Sequence, residues 1–155
     1  MTPRIAVMRE DWADPSVELP SYETQGSAGA DVRANFPQNE RDAGLTIGPG
    51  ERTLVPTGIR VAIPTGFEIQ VRSRSGLALK QGVSVLNSPG TIDSDYRGPF
   101  GVILINLGQE AVAIAHGDRI AQLVIAPVAH ANFEVVSGLD DTDRGHGGFG
   151  STGKR

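Results

Sequence analysis

Apolar positions along the chain recur with a period of two far more often than with a helical period. Residues 4–9 alternate, with Ile5 and Val7 on one face and Ala6 and Met8 on the other, and predict a first strand. A short strand is expected from Asp31 to Phe36. Arg52 to Pro64 alternates at greater length, with Ile59, Val61 and Ile63 on one face. Pro64-Thr65-Gly66 reads as a turn, after which Phe67, Ile69 and Val71 alternate with Glu68, Gln70 and Arg72. Two such runs around a three-residue turn predict a hairpin. Val102-Ile103-Leu104-Ile105 is the strongest apolar run and predicts a strand buried on both faces. Val112 and Ile114 predict a shorter strand, Ile120 to Val128 another that Gln122 interrupts, and residues 133–136 a last one. Residues 10–29 and 37–51 read as loops, and only residues 76–81 suggest a helical turn. The pattern is all-β, a sandwich or barrel.

Composition narrows the functional classes. A chain of 155 residues with 39% apolar content builds one domain with a real core, and its 20 glycines and 10 prolines fit many turns. The net charge of -4 argues against a broad basic face for nucleic acid, so a phosphorylated ligand would need arginines concentrated locally. The absence of cysteine removes disulfides, thiolate catalysis and cysteine metal sites. No secretory or transit pattern opens the sequence, and no apolar run approaches the roughly 18 residues of a membrane span. A cytoplasmic protein that binds neither membrane nor nucleic acid is expected.

Candidate chemistry concentrates between Asn87 and Gly98, a polar stretch between apolar runs. Asp93 and Asp95 stand two apart beside Tyr96, and Asn87 precedes Asp93 by six residues. A pocket there would hold an acid or base, a flat ring wall and a side-chain amide. The same residues also suit a β-turn that uses Asp, Gly and Asn only for their backbone conformations. Arg72-Ser73-Arg74-Ser75-Gly76 offers guanidinium forks, hydroxyls and a glycine backbone, a phosphate cradle or a solvated basic turn. Ala28-Gly29-Ala30-Asp31-Val32 delivers a carboxylate at a strand start, either a cap or a site group.

After Ser137 the character changes to Asp140, Asp141 and Asp143, then Arg144-Gly145-His146-Gly147-Gly148-Phe149-Gly150-Ser151-Thr152-Gly153-Lys154-Arg155. Ordering so many glycines is entropically costly, so this reads as an arm that orders over a ligand. The expected division is a β-sandwich over 1–136 and a flexible arm over 137–155. Gly145-x-Gly147-x-x-Gly150 matches the dinucleotide pattern literally but lacks the flanking strand, helix and downstream acid. Gly148-x-x-x-x-Gly153-Lys154 approaches a P-loop, with Arg155 where Ser or Thr belongs. Neither context supports those folds. His116, His130 and His146 lack metal-ligand spacing.

Five segments in order resemble the motifs of the trimeric deoxyuridine triphosphate nucleotidohydrolases (dUTPases). They are Ala28–Val32, Arg74–Ala78, Gly90–Gly98, Gly117–Gln122 and the glycine-rich Arg144–Gly153. The resemblance implies a jelly-roll β-sandwich, three copies around a threefold axis, and active sites shared between subunits. Asp31, the Arg74–Gly76 loop and Gln122 would come from one subunit, the Asn87–Tyr96 region from a second and the arm from a third. Ser73 stands where the family commonly has proline, which would loosen the phosphate loop.

The implied reaction hydrolyses dUTP to dUMP and pyrophosphate, which limits uracil in DNA and supplies dUMP for thymidylate synthesis. Water would attack the α-phosphorus in line, with Asp93 as general base, since an ordinary aspartate of pKa about 3.9 is ionised at neutral pH. Mg²⁺ would bridge the phosphates, with Asp31 holding a Mg-bound water. Arg74, Ser75, Gly76, Gln122 and Arg144 would contact phosphates, with Ser151 and Thr152 adding hydroxyls and Gly150 backbone. Asn87 would pair with uracil. Thr91, Ile92 and the Gly101 main chain would line the pocket, Tyr96 would exclude a 2′-hydroxyl, and Phe149 would stack on the base. A dCTP deaminase is the nearest rival, but no glutamate lies between Glu68 and Glu110. A non-catalytic jelly roll that binds nucleotide or protein is the other.

Overall fold

The computed structural model describes residues 2–153; Lys154 and Arg155, two of the arm's expected cations, lie outside the described residues. In chain order the elements are β1 (Ala6–Arg9), β2 (Ala30–Arg33), β3 (Leu45–Ile47), β4 (Arg52–Ala62), β5 (Phe67–Arg72), α1 (Ser75–Gln81), β6 (Val83–Val85), β7 (Gly90–Ile92), β8 (Phe100–Asn106), β9 (Val112–Ile114) and β10 (Arg119–Pro127). They form one sheet in the order β1-β4-β8-β6, a second in the order β2-β10-β5-β7, and a small β3-β9 pair. Every pairing is antiparallel. The inner faces share one core that includes Val55, Val61 and Leu104 from the first sheet and Val32, Ile69 and Leu123 from the second. The all-β sandwich of jelly-roll type is therefore the fold.

Four expectations need correction. The runs 52–64 and 67–72 are strands but not a hairpin: β4 pairs with β1 and β8, and β5 with β10 and β7. The Pro64–Gly66 turn carries the chain from one sheet to the other. Ile59, Val61 and Ile63 thus meet Ile69 and Val71 across the core. Alternation cannot tell strands that lie side by side from strands that face each other.

The strand at Val102–Ile105 is not buried on both faces in the single chain. Val102 and Leu104 are fully buried, whereas Ile103 and Ile105 are partly exposed, beside an exposed Leu54. Residues 133–136 form no strand. Phe133 and Val135 are almost wholly in solvent, because no sheet edge of this chain takes them up. The segment from Asp31 leaves the ladder after Arg33, although Ala34, Asn35 and Phe36 stay buried. The sequence also hid β3 and β7, three-residue strands inside segments that read as loops.

The polar 10–29 segment is stitched to the sandwich by a hydrogen-bonded cluster. The Phe36 N–H donates to His116 Nδ1 at 3.0 Å, so the ring proton lies on Nε2, 3.0 Å from Asp14 Oδ2. The other Asp14 oxygen accepts from the Ser16 hydroxyl at 2.7 Å and the Ser16 N–H at 2.9 Å. Buried Asn35 accepts from the Asp14 N–H and donates to its carbonyl. The Ser16 hydroxyl, its N–H, His116 and the nearby Arg41 guanidinium hold the Asp14 carboxyl far below the usual carboxylate range.

A carboxylate depressed in the fold stabilises above its unfolded pKa and loses that contribution as pH falls towards its folded value. Asp14→Asn is therefore less stable than wild type at neutral pH, and the gap in urea midpoint narrows as pH drops below about 4. A gap that stays constant down to acid unfolding would contradict this origin.

Candidate active site

The structure gathers the candidate residues into two clusters and leaves the arm apart from both. The first cluster is a cleft of about 280 Å³ between β7 and β8. Asn87, Thr91, Ile92, Asp93, Tyr96 and Gly101 all line it, so every nucleoside-side residue named from the sequence, apart from Phe149 of the arm, shares one cavity. Pairing of β7 with β5 sets its floor, with Gly90 opposite Val71 and Ile92 opposite Ile69. Gly101 has no side chain and can offer only backbone there, with Leu54 Cδ1 2.7 Å from where a Cβ would stand.

The turn that follows β7 binds itself. The Tyr96 N–H donates to the Asp93 carbonyl at 3.2 Å, and Arg97 Nη1 donates to the carbonyls of Ser94 and Tyr96 at 2.7 and 2.8 Å. The Asp93 carboxylate is exposed, and among the described residues no side chain or N–H satisfies it. An unpaired carboxylate oxygen at the cleft is free to accept a hydrogen bond from a ligand or a water.

The second cluster centres on Asp31, which is 3% exposed. Register puts Asp31 of β2 opposite Gln122 of β10, and Gln122 opposite Arg72 of β5. Gln122 Nε2 donates to Asp31 Oδ1 at 3.3 Å, Arg119 Nη1 to Oδ2 at 3.1 Å, and Arg74 Nε stands 3.5 Å from Oδ1. Arg119 is the residue that sequence reading missed. In a regular strand, positions 119 and 122 point to opposite faces. A register shift between Arg119 and Ala121 re-aims the strand, so both side chains reach one carboxylate. No pattern in Gly117-Asp118-Arg119-Ile120 announces that bulge.

Arg74 caps α1 in an extended conformation with no side-chain cap bond, so Ser75 and Gly76 open the helix with their N–H groups outward. Ser73 does not loosen this loop. Its hydroxyl accepts the Val85 N–H at 2.8 Å and lies 2.9 Å from the Ser84 hydroxyl, which ties the loop to β6.

The cleft near Asp93 and the hollow beside Arg74 and Arg119 share no lining residue. The hydrogen bonds of residues 142–153 stay within the arm, including Arg144 Nε to the Gly147 carbonyl at 2.7 Å. Phe149 is fully exposed, and Ser151 and Thr152 are exposed with it. The single chain therefore holds a nucleoside-sized cleft, an arginine-rich cluster and an arm, but does not bring the three together.

The dUTPase family model matches residues 16–153. The chain belongs to the dUTPase family. A deoxyuridine 5'-triphosphate nucleotidohydrolase of Dinoroseobacter shibae is 62% identical over 154 residues, covering 99% of each chain. The fold is shared with the Staphylococcus bacteriophage 80alpha dUTPase solved with dUPNHPP, at a TM-score of 0.83 and 24% identity over 98% of this chain and 99% of that one. A mutant dUTPase from phage phi11 of S. aureus, solved with a coordinated structural Mg(II) ion, superposes at a TM-score of 0.71 with 22% identity over 87% and 97%.

Arg119 offsets the charge of a carboxylate that water scarcely reaches. Arg119→Met should lower the unfolding free energy by about 1–2 kcal/mol, since removing one partner leaves a buried carboxylate under-compensated while the partly exposed guanidinium was already screened by solvent. Adding Asp31→Asn should recover part of that loss in urea unfolding. Additive losses would show that the two residues do not act as a pair.

Proposed function

We propose that the chain hydrolyses dUTP to dUMP and pyrophosphate, with water attacking the α-phosphorus. The observation that carries this reading is a dUTPase-family chain whose cleft sets an unpaired Asp93 carboxylate beside Asn87 and the Tyr96 ring. The Asp93 oxygen accepts a proton from the attacking water, and the pyrophosphate oxygen leaves. Asn87 and neighbouring backbone groups pair with the uracil edge. Cytosine would leave buried partners unmatched, at a cost of about 1–3 kcal/mol each. The Tyr96 ring lies against C2′ of the sugar and rejects a ribose hydroxyl.

Arg74, Ser75, Gly76 and Gln122 take the phosphates. From the arm, Arg144 contacts the terminal phosphate, Phe149 stacks on the base, and Gly150, Ser151 and Thr152 close the pocket. The product dUMP is the precursor of thymidylate, and removing dUTP limits uracil in DNA.

Among the described residues, no three of Asp, Glu and His converge on a cation, and the Asp31 oxygens already face Arg119, Arg74 and Gln122. This donor set does not fit a cage of protein ligands; it fits Mg²⁺ carried by the triphosphate, which Asp31 would hold through a water. When bound, the ion would supply charge neutralisation on the leaving pyrophosphate.

The working form in this reading is a homotrimer. Residues 1–136 form its sandwich, and residues 137–155 form an arm closing over a neighbouring site. Support comes from the separate linings of the two clusters, the self-contained arm and the exposed Phe133 and Val135. No described helix is long and apolar enough to cross a membrane, which accords with a cytoplasmic enzyme.

Pyrophosphate release with Mg²⁺ should be rapid from dUTP and at least about a hundredfold slower from dCTP, dTTP and UTP. Asp93→Asn should lower kcat by about a hundredfold or more while dUTP still binds. A folded protein that turns over none of the four would overturn the reading. Mixing inactive Asp93→Asn with inactive Arg74→Ala chains tests the sharing. Random trimers should regain activity at about a quarter of their sites, whereas sites built within one chain would regain none.

A further inference from the structure

We propose that Gly98 is a positioning residue for substrate discrimination: the missing side chain leaves the space into which the Tyr96 phenol folds back, and so fixes the ring at the cleft. The inference rests on the reading of the cleft as a deoxyuridine nucleotide site. The Tyr96 ring lines the cleft with Asp93 and Asn87 and is 44% exposed, so packing against the body of the sandwich does not hold it. Its restraint comes from its own turn. The phenol hydroxyl donates to the Pro99 carbonyl at 2.9 Å, three residues on in the chain. To make that bond the ring must lie across Gly98.

A Cβ on Gly98 would sit 2.6 Å from the ring Cζ and 2.9 Å from Cε2, and closer still to the hydroxyl oxygen. These distances fall well inside van der Waals contact, so a methyl group and the present ring cannot coexist. The three nearest atoms such a Cβ would meet, its chain neighbours aside, all belong to the Tyr96 side chain. Gly98 is also absent from the glycines with positive φ, so its backbone conformation is open to alanine. What glycine provides at 98 is room.

The neighbouring bonds decide which part gives way. Arg97 Nη1 holds the Ser94 and Tyr96 carbonyls, the Tyr96 N–H holds the Asp93 carbonyl, and Phe100 begins β8 with its side chain buried. The backbone from 93 to 100 is thereby fixed at both ends. The exposed ring is the part free to swing, and it would surrender the Pro99 bond. A loosened ring still covers the cleft but no longer presents a fixed wall to the sugar. Discrimination should therefore suffer before the chemistry does.

The test is a double-mutant cycle on Gly98→Ala and Tyr96→Ala. Turnover of dUTP and UTP is measured for each, together with the tyrosine ring signals by NMR, for which Tyr22 serves as the internal reference. Gly98→Ala should fold, shift the Tyr96 ring signals, and cut the preference for dUTP over UTP by about tenfold or more, mainly through KM. In the Tyr96→Ala background the same substitution has nothing to strike. It should then change neither that preference nor the melting temperature.

Either of two results overturns the proposal: Gly98→Ala with an unmoved Tyr96 ring and a preference within about twofold of wild type, or a Gly98→Ala loss that persists undiminished without the ring. If wild type fails to hydrolyse dUTP, the functional reading falls by itself. The ring signals still decide whether Gly98 sets the position of Tyr96.

Discussion

A carboxylate withdrawn from water must be answered by charge or hydrogen bonds, and the second sheet is arranged around that requirement at Asp31. Its oxygens draw Gln122 and Arg119 from β10 and Arg74 from the loop after β5, so three chain segments distant in sequence are held at one point. The β-bulge in β10 is the means, because a regular strand would send Arg119 to the far face. The same contacts leave the start of α1 and the Arg74 guanidinium at the end of the sheet. An arginine-rich surface thus follows from satisfying one buried negative charge.

The division between what the sequence revealed and what it hid follows from range. Alternation reports a single strand's two faces, so β4, β5, β8, β9 and β10 were legible from Ile59, Val61, Ile69, Leu104 and their neighbours. It carries no information on partners. The assignment of β4 and β5 to one hairpin therefore failed where the chain crosses between sheets. Strands of three residues, such as β3 and β7, are too short to show a period.

The cleft residues were legible because Asn87, Asp93 and Tyr96 lie close in sequence and one turn collects them. Arg119 was not, because its role depends on a register shift that leaves no compositional trace. Ser73 is a further case. Read as a missing proline it suggested slack, but its hydroxyl bonds to Val85 and Ser84, contacts that only the fold brings within reach.

Phe133 and Val135 have a consequence of their own. Each is a large apolar side chain left almost wholly in water, and covering such a group is worth about 1.5–3 kcal/mol. Nothing among the described residues of the single chain covers either group, so a partner surface that did would recover that energy. In the proposed homotrimer, persistence would be a matter of mass action, and dilution would remove a neighbour's cover from these side chains and its proposed contribution to the site in one step. Concentration in the cell would be as much a part of this molecule's design as any residue in its cleft.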